Sequence, residues 1–184
     1  MMYKTLLAII FSTIAPTLAQ ANNIKIDTTL PTVTVANKGE LVLNNNTIGY
    51  QSWRSTNLEG KTHIIIAIAG RSSAKEINAE LVSAISAANF PQAKYQTITI
   101  INQDDAIWGT ASFVQSATEK SKKKYPWSSM VLDSDGVVQK TWDLKKEDSA
   151  IIVINKNAQV VFIHEGKLNQ HQIKQVITLV KKNI

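Results

Sequence analysis

Residues His63-Ile-Ile-Ile-Ala-Ile-Ala69 form an unbroken apolar run rich in β-branched side chains. A strand with one wet face alternates apolar and polar residues; a strand covered on both faces does not. The run therefore predicts a central strand, and it obliges the rest of the chain to supply cover for two faces. Gly70-Arg71-Ser72-Ser73 follows, and then a helical segment to about Ala88, with Ile77, Leu81, Ile85 and Ala88 stepping by three or four.

The remaining elements fall into place around that strand. Thr32–Val35 and Glu40–Leu43 read as short strands on either side of a turn at Asn37-Lys38-Gly39, with Asn44-Asn45-Asn46 ending the second. Tyr95–Asn102 alternates like a strand. Ala111 to about Lys122 is helical, with Phe113, Val114 and Ala117 expected inward, and Pro126 stops it. Ser129–Leu132 is a short strand, Asp133-Ser-Asp-Gly136 a turn and Val137–Trp142 a short helix. Ala150–Ile154 and Gln159–Ile163 are strands joined by the tight turn Asn155-Lys-Asn157. Asn169 caps a last helix whose inward positions are Ile173, Val176, Ile177 and Val180. A parallel crossover in one half and an antiparallel hairpin in the other predict an α/β domain with a mixed central sheet, helices on both faces and an N-terminal β-strand extension.

The first 21 residues have the form of a cleaved export signal. Lys4 supplies the positive start, Thr5–Ile14 the apolar core and Ala19-Gln20-Ala21 an A-x-A site ahead of Asn22; cleavage after Ala19 is the alternative. The apolar stretch is shorter than the ~20 residues of a membrane span, and no later stretch is long enough for one. Residues 22–184 are then expected to be a single domain without a transmembrane segment. Cysteine is absent, so thiol chemistry is excluded and folding relies on packing alone. The formal charge of +6 becomes +5 without Lys4. Lysines gather at 120–124, 145–146 and 181–182, where helix ends welcome cations, and no aromatic stacking pattern runs through them. Nucleic acid is therefore not an expected partner.

Asp133-Ser-Asp-Gly-Val-Val-Gln-Lys-Thr-Trp-Asp-Leu144 and Ile151-Ile-Val-Ile-Asn-Lys-Asn-Ala-Gln-Val160 resemble the corresponding pieces of exported thioredoxin-like and peroxiredoxin-like proteins. Nearly the whole of residues 22–184 also resembles the YtfJ family of bacterial periplasmic proteins. That likeness is carried by Ala69-Gly-Arg-Ser-Ser-Ala-Lys-Glu76, Tyr95-Gln-Thr-Ile-Thr-Ile-Ile-Asn102, Asp104-Asp-Ala-Ile107 and Tyr125-Pro-Trp-Ser128. It implies a thioredoxin-like fold and a Gram-negative periplasm, and it supplies no catalytic residues.

A thioredoxin-like enzyme works from the strand-to-helix junction, where a helix N-terminus lowers a cysteine pKa. Here Ser73 and Glu76 stand roughly where the two cysteines of such an enzyme would fall, and Ser149 roughly where its cis-proline would. Disulfide exchange and peroxide reduction are thereby excluded. Two readings of the junction remain: a Ser73–Glu76 capping box, or an anion site built from Arg71, Ser72 and Ser73. Asp104-Asp105-Ala-Ile-Trp108 follows the next strand and is expected on the same sheet edge. An Arg71–Asp104 or Arg71–Asp105 ion pair is accordingly anticipated in competition with a ligand, with Trp108 as partly buried cover. Tyr125-Pro-Trp127 reads as a helix stop whose aromatics fold onto the core, or as an aromatic edge for a partner.

Asp133-Ser-Asp-Gly136 lacks the spacing of a calcium loop, and His63, His164 and His171 are too scattered for zinc. No cofactor or metal is called for. The favoured expectation is a non-catalytic binding module for a small anion, a peptide or a periplasmic protein, through Arg71, Ser72, Ser73, Asp104, Asp105 and Trp108. The alternatives are a hydrolase using Asp104 or Asp105 as general base, which needs a pocket joining it to Ser72 or Ser73, or an envelope-associated protein contacting anionic surfaces through Lys122–Lys124 and Lys145–Lys146.

Overall fold

The computed structural model describes residues 22–184; the expected leader, residues 1–21, lies outside them. Seven strands form one sheet: β1 (Thr34–Asn44), β2 (Thr47–Arg54), β3 (Thr62–Ala69), β4 (Tyr95–Asn102), β5 (Ser129–Asp133), β6 (Ser149–Ile154) and β7 (Val160–Glu165). Their order is β2-β1-β5-β4-β3-β6-β7. β3, β4 and β5 run parallel, and every other pairing is antiparallel.

The apolar run is indeed covered on both sides. Ile65 and Ala67 point into a cluster with Trp53, Ile100, Val131 and Trp142, closed by helix α4 (Val137–Trp142) and the N-terminal strap through Ile24, Leu30 and Val33. Ile64 and Ile66 point the other way, onto α2 (Ala79–Ala88) and α5 (Gln170–Asn183) through Leu81, Ile173, Val176 and Val180. The α5 capping box is present: the Gln172 N–H donates to Asn169 Oδ1, and the Asn169 N–H to Gln172 Oε1.

Four local expectations are corrected. Asn37-Lys38-Gly39 is not a hairpin turn but a bulge inside one long β1, and the register shifts between Val35 and Glu40. A Cβ at Gly39 would collide with the Gln51 carbonyl. The hairpin turn is Asn45-Asn46, both with positive φ (47° and 66°), the conformation a two-residue turn demands. Its second arm, the largely exposed edge strand β2, lacks the alternation that would mark it in sequence.

Helix α3 (Ala111–Lys124) is rotated from the expected register: Val114, Thr118 and Lys122 face the sheet, while Phe113 and Ala117 are exposed. Polar groups are tolerated on that inner face because they find partners. Thr118 Oγ1 donates to the Val114 carbonyl, and Lys122 Nζ donates to the carbonyls of Pro126 and Ser128. Tyr125 and Trp127 do not fold onto the core; both are exposed and pack edge to face at 5.7 Å.

The helix after β3 is broken into α1 (Ser72–Glu76) and α2 by the buried Asn78. Asn78 Nδ2 donates to Ser149 Oγ at 3.1 Å and to the Gly166 carbonyl at 3.0 Å, and Oδ1 accepts the Leu168 N–H at 2.9 Å. One side chain thus fastens the helix break to the start of β6 and to the loop before α5. Asn78→Ala leaves these groups without partners, and urea unfolding is expected to show a loss of about 2–3 kcal/mol.

His63 is 4% exposed and its Nδ1 has no hydrogen-bond partner. Burial pushes its pKa down to about 4 from 6.5. Between those values the unfolded chain takes up a proton that the folded chain refuses, so stability present above pH 6.5 drains away as pH falls toward 4. The full loss is about 3 kcal/mol. His63→Leu is expected to flatten that part of the stability–pH curve; an unchanged slope would assign it to other groups.

Candidate functional site

The carboxyl ends of β3 and β4 lie level, with Ala69 opposite Asn102. Gly70 follows, and its N–H donates to the Asn102 carbonyl at 2.8 Å. A Cβ at Gly70 would sit 2.7 Å from that oxygen and 3.2 Å from the Ala106 methyl, so only glycine lets the β4–α3 loop close against the junction.

That closeness delivers Arg71 to Asp105. Arg71 Nε donates to the Asp105 carbonyl at 2.9 Å, and Nη2 to Asp105 Oδ1 at 3.0 Å and to Glu147 Oε1 at 3.1 Å. Asp105 Oδ2 accepts the Glu147 N–H at 2.6 Å, and the Asp105 N–H donates to Asn102 Oδ1. The side chains of Arg71 and Asp105 are 22% and 10% exposed. This clasp joins the β3–α1 junction, the β4–α3 loop and the α4–β6 loop. Of the two anticipated ion pairs, Asp105 makes the one with Arg71; Asp104 instead accepts Lys140 Nζ at 2.9 Å in the open. Asn78, Glu147 and Asn102 have no motif to announce them; their roles come from strands and loops far apart in sequence.

The junction itself departs from both readings. Helix α1 begins at Ser72, two residues earlier than a Ser73 cap requires. Arg71 takes the cap position with extended backbone (φ −131°, ψ 143°), and no side chain caps the helix. The Ser73–Glu76 capping box is therefore not formed. Ser72 and Ser73 are exposed, while the guanidinium that would have completed an anion cradle is held by two carboxylates.

A crevice of about 350 Å³, its open mouth included, lies behind the clasp and is lined by Asn102, Asp105, Gln139, Lys145, Ser149 and Glu165 among others. Neither Ser72 nor Ser73 lines it, and both Asp105 carboxylate oxygens have partners. The anticipated general base joined to Ser72 or Ser73 is not assembled here. Behind the loop, the fully buried Asp133 accepts the N–H groups of Val137 and Val138 and so starts α4; burial raises its pKa against the pull of those bonds.

Trp108 is the sharpest departure from expectation: it is 97% exposed, not partly buried cover. Ile107, its neighbour in the chain, and Phe113 in the first turn of α3 are also exposed. The loop that carries it is well tied. Thr110 Oγ1 and N–H both donate to the Ile107 carbonyl, and Gln103 donates its side-chain N–H to Ala111 and its backbone N–H to Asp133. The indole is thus held out into solvent by a braced loop.

Because the clasp is largely shielded, Arg71→Ala strands Asp105 and cuts one link between three segments. Denaturant unfolding is expected to register a loss of about 2 kcal/mol. Arg71→Lys is expected to recover less than half of it, since a single ammonium cannot reproduce the forked contact. An Arg71→Ala protein as stable as the parent would show that the clasp is not structural.

Residues 24–183 match the YtfJ_HI0045 family, described as bacterial protein of unknown function. An uncharacterised protein of Haemophilus influenzae is 42% identical over 179 residues, covering 97% of each chain. The uncharacterised protein YtfJ of Escherichia coli K12 is 41% identical over 167 residues, covering 91% of each. Among solved structures, a PrxQ mutant from Xylella fastidiosa superposes with a TM-score of 0.53 at 15% identity, covering 86% of this chain and 96% of that one. A thiol-disulfide isomerase from Corynebacterium glutamicum does so with a TM-score of 0.51 at 13% identity, covering 79% and 96%. Such distant likeness speaks to fold alone, and the fold is thioredoxin-like. By its sequence, the chain belongs to the YtfJ family of bacterial proteins.

Proposed function

We propose that this protein is an exported, periplasmic, non-catalytic interaction module whose Ile107–Trp108–Phe113 edge receives an apolar segment of a peptide or protein partner. The observation that carries the reading is the indole of Trp108, 97% exposed on a braced loop. A tryptophan buried at an interface covers about 200 Å², a gross ~5 kcal/mol before association costs. Tryptophan is also the type most enriched where a few residues dominate binding.

The loop sits beside the junction at which thioredoxin-like enzymes act, and this chain has no cysteine to act with. The scaffold keeps an accessible edge and lacks the reaction. Engagement of Arg71 by Asp105 and Glu147 favours a partner bound through apolar contact over a small anion bound by the guanidinium. Export rests on the leader pattern ending at Ala19-Gln20-Ala21.

A photo-activated cross-linking residue placed at the exposed position 112 of the full chain, at the start of α3 and close in sequence to Trp108, tests the reading in cells, with position 174 on the exposed side of α5 as control. A discrete adduct is expected from 112, absent from 174 and at least several-fold weaker when Trp108→Ala accompanies it. No adduct at 112, the same adducts at 174, or indifference to Trp108→Ala would overturn it. Mass spectrometry of the cross-linked chain should also find an N-terminus at Asn22.

A further inference from the structure

The lysines sort by pole. At the amino ends of the parallel strands, the Thr62 N–H donates to the Lys94 carbonyl, and Thr62 Oγ1 to the Asn183 carbonyl beside Lys181 and Lys182. The Gly60 N–H donates to the Lys156 carbonyl in the β6–β7 turn, and α3 ends there with Lys123 and Lys124 just ahead of β5. All six of these lysines are exposed, and Glu59 is an exposed carboxylate among them. At the opposite pole stand Asp104, Asp105, Asp133, Glu147, Asp148 and Glu165. Lys145 and Lys146 are at that pole as well, so the anticipated grouping of Lys145–Lys146 with Lys122–Lys124 does not occur, and Lys122 is itself buried.

The basic pole also bears Tyr125 and Trp127. Lys124 Nζ lies 5.2 Å from the Tyr125 ring centroid, and the Tyr125 and Trp127 rings pack edge to face. We infer that this pole is a docking surface for an anionic phospholipid bilayer. Charge complementarity selects the occupant's sign: cations on flexible stems, contributed by four separate segments, present a broad positive end rather than a pocket. The aromatic types select the bilayer, since Tyr and Trp lodge at the level of lipid headgroups. A ring pair packed edge to face on itself offers no parallel platform for stacked bases, which disfavours a nucleic acid. This contact uses the pole opposite Trp108, so a bilayer-bound molecule would hold its Trp108 edge away from the lipid.

Sedimentation of the purified protein with vesicles tests the inference, using phosphatidylglycerol mixed with phosphatidylethanolamine against pure phosphatidylcholine. Binding is expected only to the anionic vesicles, falling steeply with added salt. The double substitution Lys123→Glu and Lys124→Glu is expected to weaken it roughly tenfold or more. Trp127→Ala should weaken it further at fixed charge, and Trp108→Ala should leave it unchanged. All four substituted side chains are exposed, so folding is expected to persist and circular dichroism checks it. Failure to bind anionic vesicles, equal binding to phosphatidylcholine, indifference to the lysine reversals, loss of binding in Trp108→Ala, or retention of duplex DNA without vesicle binding would each overturn the proposal.

Discussion

Burial of β3 on both faces is the constraint from which the rest follows. Ile64 to Ala69 offer no polar side chain to solvent, so each face needs its own apolar cover. The chain supplies α2 and α5 on one side, and α4 with the N-terminal strap on the other. Central placement also obliges β3 to pair along both edges, with β4 in parallel register over all eight residues and with β6 antiparallel. Parallel pairing requires a crossover helix, and that brings both strands out at the same end of the sheet. The Arg71 clasp and the Trp108 loop stand next to each other for that reason.

The same constraint decides what was readable beforehand. Long apolar or alternating strands, β3 and β4 above all, announce themselves because their burial is set by their own side chains. Asn169 was legible as a cap because its partner, Gln172, is three residues away. What escaped depends on neighbours remote in sequence. Edge strand β2 has little burial to pattern it, and the bulge at Lys38-Gly39 uses turn residues for a different purpose. The inward face of α3 is not legible in its sequence because Lys122 and Thr118 are acceptable inside only once the carbonyls of Pro126, Ser128 and Val114 are in place.

At the candidate site the pattern repeats. The juxtaposition of Arg71 with the aspartate loop followed from topology, and the choice of Asp105 over Asp104 did not. That choice is made by Glu147, whose N–H and carboxylate close the clasp from a third segment. The exposure of Trp108 was likewise hidden, because hydrophobicity argues for burial unless a braced backbone holds the side chain out. Gln103, Thr110 and Gly109 (φ 80°) supply that bracing.

In a thiol enzyme of this fold, the junction must keep a helix N-terminus open to stabilise a thiolate. Without a cysteine that requirement lapses, and here the residue ahead of the helix is turned across the gap into a three-segment ion pair. A guanidinium shielded in this way ties together the loops at that edge. A rigid loop lowers the ordering cost of docking an exposed indole. The clasp and Trp108 are thus two parts of one arrangement: the first engages the guanidinium at the junction, and the second, under the proposed reading, would offer a firmly placed contact from the same closure.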